Sequence, residues 1–439
     1  MKKRLQRLTI DSLAIFVLFS CGARINKDSY KGSVNVSGYQ ADTLAAPYAT
    51  KSVKNFSKVT GWKGGTTPLA PEGFVVTRFA GGFDHPRWLY VAPNGDLFVA
   101  EANTELKGIK KIGAKISRKI KTQHYGKSAN RIIRLSNPDH DGIPQDRNVF
   151  LEGLDQPFGM LILGNHFYVG NTDGLLQYDY KPGDTAIHSS GKQIVALPPK
   201  GRHWTKNIIA NASDGKIYIA VGSSSNVAEN GLDKEVRRAD ILEVNTDGSG
   251  ERIYASGLRN PVGMDWAPGT HTLWTVVNER DELGDELVPD YLTSVKDGGF
   301  YGWPYSYYGK HYDPRMKENP RPDLVDKAII PEVPLGSHTA SLGLTFYDKK
   351  MFPEKYQGGA FIAQHGSWNR SIISGYRVVF VPFKDGKPFG KPEDFLTGFI
   401  SDLASSEVHG RPVCVAIAND GSLLVTDDVS NVIWRVRRQ

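Results

Sequence analysis

From about Pro71 onward the chain repeats one pattern: a polar turn carrying Gly, a short run of β-branched or aromatic residues, and a second polar turn. It is legible at Asn94-Gly-Asp-Leu-Phe-Val-Ala, Gly164-Asn-His-Phe-Tyr-Val-Gly, Asp214-Gly-Lys-Ile-Tyr-Ile-Ala, His271-Thr-Leu-Trp-Thr-Val, Gly358-Gly-Ala-Phe-Ile-Ala and Asp420-Gly-Ser-Leu-Leu-Val-Thr. Each Asn/Asp-Gly pair offers the positive φ that a two-residue hairpin connection needs. The copies recur every roughly 50 to 90 residues, enough for four strands and variable loops, and such repetition marks a propeller. The pattern therefore predicts an all-β fold, a six-bladed β-propeller with four-stranded antiparallel blades. Asn431-Val-Ile-Trp-Arg-Val-Arg supplies a last strand, and the segment near Phe74-Val-Val is placed to complete the same blade and close the ring. A pair of β-sandwiches is the alternative, against which stands the absence of a linker-like gap between repeats.

Composition agrees: 40% hydrophobic residues in a chain of 439, with 46 Gly and 25 Pro, suit a large core of short strands and tight turns. The formal charge of +7 changes little, because Lys and Arg are interspersed with acids; it describes a mildly basic surface and no nucleic-acid partner. The N-terminus does add something. Met1-Lys-Lys-Arg-Leu-Gln-Arg is a basic stretch and Leu13 to Phe19 an apolar one too short to span a bilayer, the pattern of an export signal. Leu18-Phe19-Ser20-Cys21 resembles a bacterial lipobox, which implies lipidation at Cys21; an ordinary cleaved signal is the alternative. Cys21 and Cys414 are the only cysteines, so no disulfide framework is available. Gly22 after the cysteine favours the outer membrane, on its periplasmic or surface side. The expected organisation is a lipoprotein signal over 1–21, a flexible tether over 22–70 rich in Ser, Lys, Gly, Thr and Ala, and the propeller over 71–439, held to a membrane by the lipid alone.

Candidate chemistry lies in the loops. In Gly201-Arg-His-Trp-Thr-Lys-Asn207, the like charges of Arg202 and Lys206 should hold His203 neutral, the form a general base requires. A His merely hydrogen-bonded in a loop is the bland reading. Val221-Gly-Ser-Ser-Ser-Asn226-Val-Ala-Glu229-Asn-Gly231 exposes backbone that binds anions through amides or a hard cation through carbonyls. Leu258-Arg259-Asn-Pro-Val-Gly, Asn278-Glu-Arg-Asp281 and Gly299-Phe-Tyr301-Gly-Trp303-Pro follow. Guanidinium forks such as Arg259 with Trp and Tyr rings suit a flat aromatic cofactor bearing carboxylates. Asp139-His-Asp-Gly142 has the opening of a calcium loop without its closing glutamate, and an Asx-rich turn fits it better.

Taken in order, these motifs resemble the soluble quinoprotein glucose and aldose dehydrogenases, and within them the sorbosone-dehydrogenase-like branch. His365-Gly-Ser-Trp-Asn-Arg370, Gly375-Tyr-Arg-Val and Gly410-Arg411-Pro-Val strengthen the likeness, which covers about Pro71 to Arg438. The resemblance implies bound pyrroloquinoline quinone (PQQ) with Ca2+ beside it, and oxidation of an aldose, a sorbosone-like sugar or a related alcohol. It implies His203 as general base, with His365 as the alternative. It further implies quinone contacts from Arg87, Gln156, Asn226, His365, Arg370 and Arg411, with Tyr301 and Trp303 lining the quinone face or the substrate mouth. Calcium would be held by backbone carbonyls at Glu229 and Gly231. Where the glucose dehydrogenases carry a carboxylate or amide and then glycines around the base, this chain has Arg202 before and Trp204-Thr-Lys206 after, implying a different substrate pocket. With the base taking the hydroxyl proton, hydride would pass to the quinone while calcium polarises it. No Cys-x-x-Cys-His haem motif is present, so an external acceptor, a cytochrome or a quinone, must take the electrons; no Gly-x-Gly-x-x-Gly opens a βαβ unit either. Two other classes stay open: a propeller lactonase with a metal held by Glu101, Asn278 and Asp427, and a non-catalytic surface propeller that binds sugar or protein.

Overall fold

Each of the six Gly-turn repeats forms the second strand of a sheet. The computed structural model describes residues 44–105, 119–123, 125–199, 201–211 and 214–439. The signal and Cys21 lie outside the described residues; within them no helix is long and apolar enough to cross a membrane.

In chain order the first strands of the six sheets are Pro86–Val91, Met160–Leu163, Ile208–Asn211, Pro261–Trp266, Ser341–Phe346 and Pro412–Ile417. The second strands are Leu97–Glu101, His166–Asn171, Lys216–Val221, Leu273–Val277, Ala360–Gln364 and Leu423–Asp427. Two further strands complete each four-stranded antiparallel sheet, and the third sheet gains Gly299–Phe300 in parallel beside Arg252–Ser256. The second strands are covered on both faces: Leu97–Glu101, Leu273–Val277, Ala360–Gln364 and Leu423–Asp427 are buried at every residue. That double burial is why they read as continuous apolar runs instead of alternating ones.

Every first strand packs against the first strand of the next sheet, and Pro412–Ile417 packs against Pro86–Val91, so the inner strands close a circle. The approach is backbone to backbone. A Cβ on Gly263 would sit 2.6 Å from Leu342 O, and one on Gly343 2.6 Å from Val413 O. Aromatic clusters fill the wedges between sheets; Phe98, Phe150, Phe167 and Tyr180 interlock at centroid distances of 4.6–6.3 Å. The sixth sheet is built from both ends of the fold: Phe74–Gly81 pairs antiparallel with Val432–Arg438 from Phe74↔Arg438 to Gly81↔Val432, the closure that the sequence pattern predicts. Four-stranded antiparallel sheets packed inner strand to inner strand in this way make a β-propeller.

The segment before the first sheet departs from the expected tether. Tyr48 N donates to Leu283 O (2.7 Å), Asn55 N to Trp368 O (2.8 Å), and Lys58–Val59 pairs in parallel with Glu407–Val408. Trp62 Nε1 donates to Asp427 Oδ2 at 2.8 Å, and its ring lies 5.4 Å from Phe399 and 5.1 Å from Trp434. From Leu44 onward this stretch is therefore a strap fixed to the sheets. Its bonds are mostly backbone bonds and one tryptophan anchor, which its Ser/Lys/Gly-rich composition conceals.

Asp139 closes a hairpin turn: its Oδ1 accepts from Asp141 N (3.0 Å) and Ile143 N (2.9 Å), as an Asx turn does.

Candidate functional site

The loops after the second strands share one end of the molecule with the residues that precede the first strands. In the first, fourth and sixth sheets the first strand opens with proline, the place where a missing N–H costs no ladder bond. A polar residue stands before each: His85, Asn260 and Arg411; Gln156 does the same before Pro157. His85 and Gln156 adopt left-handed φ of 55° and 47°, a local strain characteristic of functional positions.

One half of the mouth centres on Asp281. Its carboxylate takes Arg202 Nη2 at 2.9 Å, Arg259 Nη2 at 3.4 Å and His338 Nδ1 at 3.4 Å. Burial alone would raise Asp281, but His338, Arg202 and Arg259 outweigh it and hold the carboxyl well below its usual range, while His338 is raised in return. Asn226 locks this group: its Oδ1 accepts from Arg259 and from Asp281 N, both at 2.9 Å, and its Nδ2 donates to Asp281 O at 3.0 Å. Trp303 Nε1 donates to Asn226 O at 3.0 Å. His203 stands beside Arg259 and Arg202. Its Nδ1 faces Ser223 O at 2.9 Å and Ser223 Oγ at 3.1 Å, and burial, then Arg259 and Arg202, push its pKa well below the ordinary histidine value.

The other half centres on Asp428, a residue that motif reading passed over although Val425-Thr-Asp-Asp428 ends the sixth repeat. Asp428 accepts from His365 Nε2 (3.0 Å) and Arg87 Nη1 (2.5 Å). The Arg87 guanidinium lies 5.7 Å from the Trp204 ring, whose Nε1 donates to Thr104 Oγ1 at 2.9 Å. Arg411 donates to the carbonyls of His365 (2.9 Å) and Gly366 (3.0 Å). Burial, with Arg411 adding to it, pushes His365 down to about 3 against the pull of Asp428. Tyr125 joins the halves: burial raises its phenol, while the nearby cations Arg411 and Arg202 oppose that rise.

His203, Arg87, Asn226, Arg259, Trp303, His365 and Arg411 are thus brought to this mouth, and Gln156 reaches it through Nε2 to Asn103 O at 2.6 Å. Two expected contacts are placed elsewhere. Tyr301 is fully buried in the wedge behind the fourth sheet, its hydroxyl donating to Ser294 O at 2.6 Å. Arg370 pairs with Glu286 and donates to Asp285 O, holding that loop. Glu229 accepts from Asn226 N (2.9 Å) and Val227 N (2.7 Å), so its carboxylate closes its own loop, in which Gly231 turns with φ 100°. Among the described residues, Asn260 Oδ1, Arg87 Nε and Asn103 Nδ2 are buried at the mouth with no hydrogen-bond partner.

Known proteins converge on the same reading. The glucose/sorbosone dehydrogenase family model matches residues 183–369, and a TrAA12-like model matches 323–439. An uncharacterised protein of Borreliella burgdorferi is 32% identical over 298 residues, covering 64% of this chain and 76% of that one. The aldose sugar dehydrogenase YliI of Escherichia coli is 27% identical over 169 residues, 36% of this chain, and the match spans 44% of its length. Among solved structures, the holo PQQ domain of pyranose dehydrogenase from Coprinopsis cinerea superposes with a TM-score of 0.68 at 19% identity, covering 87% of this chain and all of that one, a likeness of fold. With the Gly-Arg-His, Arg-Asn-Pro-Val-Gly and His-Gly-Ser-Trp-Asn-Arg motifs gathered at one mouth and the family model laid across them, this chain belongs to the glucose/sorbosone dehydrogenase family of soluble quinoproteins.

Proposed function

We propose that this chain is a PQQ-dependent dehydrogenase that oxidises an aldose, a sorbosone-like sugar or a related alcohol at the mouth of a six-bladed propeller, with His203 as general base. The observation that carries the proposal is the state of that imidazole. A backbone carbonyl can only accept, so Nδ1, 2.9 Å from Ser223 O, bears the ring proton and Nε2 is left as the basic nitrogen. Burial and the two guanidinia keep the ring neutral, ready to accept. Nε2 takes the substrate hydroxyl proton as the carbinol hydrogen leaves with its electron pair. His365 serves less well as base, since its Nε2 faces the Asp428 carboxylate and is a donor; it orients Asp428 and Arg87.

The residues present fit a planar, carboxylate-bearing quinone. Among the described residues, Arg87 Nε and Asn103 Nδ2 are donors without a partner and Asn260 Oδ1 an acceptor without one, each buried at the mouth. Arg87, Arg411, Gln156 and Asn226 would hold the group. When bound, it supplies the hydride acceptor, and an external cytochrome or quinone would then reoxidise it. At the Glu229–Gly231 loop, where backbone carbonyls would hold calcium, Gly231 O already accepts from Lys234 N at 3.1 Å and the Glu229 carboxylate is turned to the amides of Asn226 and Val227, so the loop fits calcium less well than the mouth fits the quinone. Export through the N-terminal signal with a lipid anchor at Cys21 belongs to the same reading.

The lactonase reading is poorly supported. Glu101 accepts from Asp84 N and pairs with Arg131, Asp427 is held by Trp62 and Arg411 N, and among the described residues no three His, Cys, Asp or Glu gather as a metal set.

Titrating the purified chain with PQQ in the presence of Ca2+, then supplying aldoses and a dye acceptor, tests the proposal; absence of quinone binding would overturn it. His203→Asn should bind quinone and lose about 10²–10⁴ in kcat. Full activity in that variant removes His203 from the base role. The acid limb of kcat/KM should lie below the ordinary histidine value of about 6.5.

A further inference from the structure

The strap braces the loop that carries Asp281. Tyr48 N donates to Leu283 O (2.7 Å), Asp285 N to Thr50 Oγ1 (2.7 Å) and Gly284 N to Ser52 Oγ (3.2 Å). Asn369 ties strap and loop together, its Oδ1 accepting from Glu282 N at 2.8 Å and its Nδ2 donating to Val53 O at 3.1 Å. The loop needs this support: Glu282 turns with a left-handed φ of 75°, a conformation that persists in a non-glycine residue only where its surroundings fix it. From the mouth side, His338 Nε2 donates to Gly284 O at 2.8 Å while its Nδ1 faces Asp281. The loop is thus held between the strap and the mouth.

Phe56 continues the brace toward His203. Its ring lies nearly parallel to the Trp368 indole, the planes 8° apart and the centroids 5.8 Å apart, and the Arg202 guanidinium carbon lies 5.5 Å from the same indole. The Trp368 backbone is pinned as well, its carbonyl accepting from Asn55 N at 2.8 Å. Arg202 is tethered by the indole and by Asp281 Oδ2 at 2.9 Å, and at 35% exposure its side chain has room to swing into solvent when one tether is lost. The charges that face His203 are Arg259 and Arg202, with Asp281 opposing them, and burial together with the two guanidinia keeps the imidazole neutral. Tyr125 faces Arg202 from a loop of the first sheet. A guanidinium that wanders gives up its hold on the imidazole.

We propose that the strap is a working part of the active site, with Phe56 a positioning residue that holds Arg202 beside His203 through the Trp368 ring. That role rests on the reading of His203 as base, but its first test needs neither quinone nor turnover. Phenylglyoxal labels guanidinium groups, and peptide mass spectrometry of the quinone-free full chain gives the rate at each arginine. In Phe56→Ala the rate at Arg202 should rise about fivefold or more, while Arg237, paired with Glu251, reacts as in the parent. Phe56→Tyr, which keeps a ring, should restore the parent rate, and Lys58→Ala, which breaks the strap's exposed ion pair with Glu407, should leave it unchanged. With quinone, Ca2+, an aldose and a dye acceptor, the acid limb of kcat/KM should move up in Phe56→Ala toward the ordinary histidine value of about 6.5 and stay in place in the other two variants. An unchanged rate at Arg202, equal acceleration at Arg237 or in Lys58→Ala, failure of Phe56→Tyr to restore the rate, or an acid limb that does not move would each overturn the role. A chain that binds no quinone defeats the redox reading, and the labelling rates still decide whether Phe56 holds Arg202.

Discussion

Gly222 has no room for a side chain: a Cβ there would fall 2.2 Å from Asn260 Oδ1 and 2.6 Å from His203 Cβ. Gly222→Ala should therefore displace the base and the unpaired amide together, cutting both quinone affinity and kcat by about tenfold or more while the chain still folds; parent-like binding would show that the loop yields cheaply. Lys206, three residues beyond His203, makes a different case. It is buried, its Nζ donates only to Trp204 O at 3.1 Å among the bonds seen, and burial, then Arg238, lowers it to about 7. A lysine whose folded value lies below its unfolded one binds fewer protons when folded, so between about pH 7 and 10.5 its contribution to stability rises with pH. Lys206→Met should be about 2–4 kcal/mol more stable than the parent at pH 7, the two converging near pH 10.5 in urea titrations; parallel curves would show the amine to be compensated. Sequence disclosed His203, Arg259 and Arg411 because each sits in a motif whose neighbours are chemically telling. It misplaced Tyr301 because an aromatic next to Gly-Trp-Pro reads alike whether it faces a ligand or a core, and only its bond to Ser294 O separates the two. Asp281 and Asp428 acquire meaning from partners between 22 and 341 residues away, Asp281 from Arg202, Arg259 and His338 and Asp428 from His365 and Arg87, and no spacing rule carries that information.

Elements were legible to the degree that they are buried. Second strands, covered on both faces, announce themselves as Leu-Phe-Val-Ala or Phe-Ile-Ala; three of the six inner strands open with proline, and two are thinned by Gly263 and Gly343, so their hydrophobic signal is weak although they approach one another backbone to backbone. The strap lies at the far end of this range. Trp62 is its main side-chain anchor, donating to Asp427, whose pKa burial raises to about 6 and whose Oδ1 accepts from Arg411 N at 2.9 Å. Trp62→Ala should cost about 2–3 kcal/mol and open the strap to proteolysis ahead of the sheets, with Trp62→Phe recovering part of the packing but not the bond to Asp427. Cleavage that begins in the sheets instead would mean the backbone bonds of residues 48–60 hold the strap without the indole.

At the scale of the whole molecule, each inner strand packs against the inner strands of the two sheets beside it, so stability depends on whether the circle of sheets is closed. The closing contact is the pairing of Phe74–Gly81 with Val432–Arg438, in which Val436 is fully buried, faces Val76 across one ladder and Leu423 across the other, and belongs to the aromatic-rich cluster between the fifth and sixth sheets. Val436→Asp places a carboxylate in that cluster with no partner, a cost of several kcal/mol, and because it parts the two chain ends it should lower the melting temperature of every sheet at once. Ile253, about half exposed on an outer strand of the third sheet, offers the matched control: Ile253→Asp puts the same charge on a strand but leaves the circle intact, and should stay within about 0.5 kcal/mol of the parent. Calorimetry distinguishes the outcomes. A single transition shifted far down for Val436→Asp and barely moved for Ile253→Asp is what a closed circle requires; two separated transitions in Val436→Asp, with most of the enthalpy still at the parent temperature, would mean that the other five sheets stand without the closure.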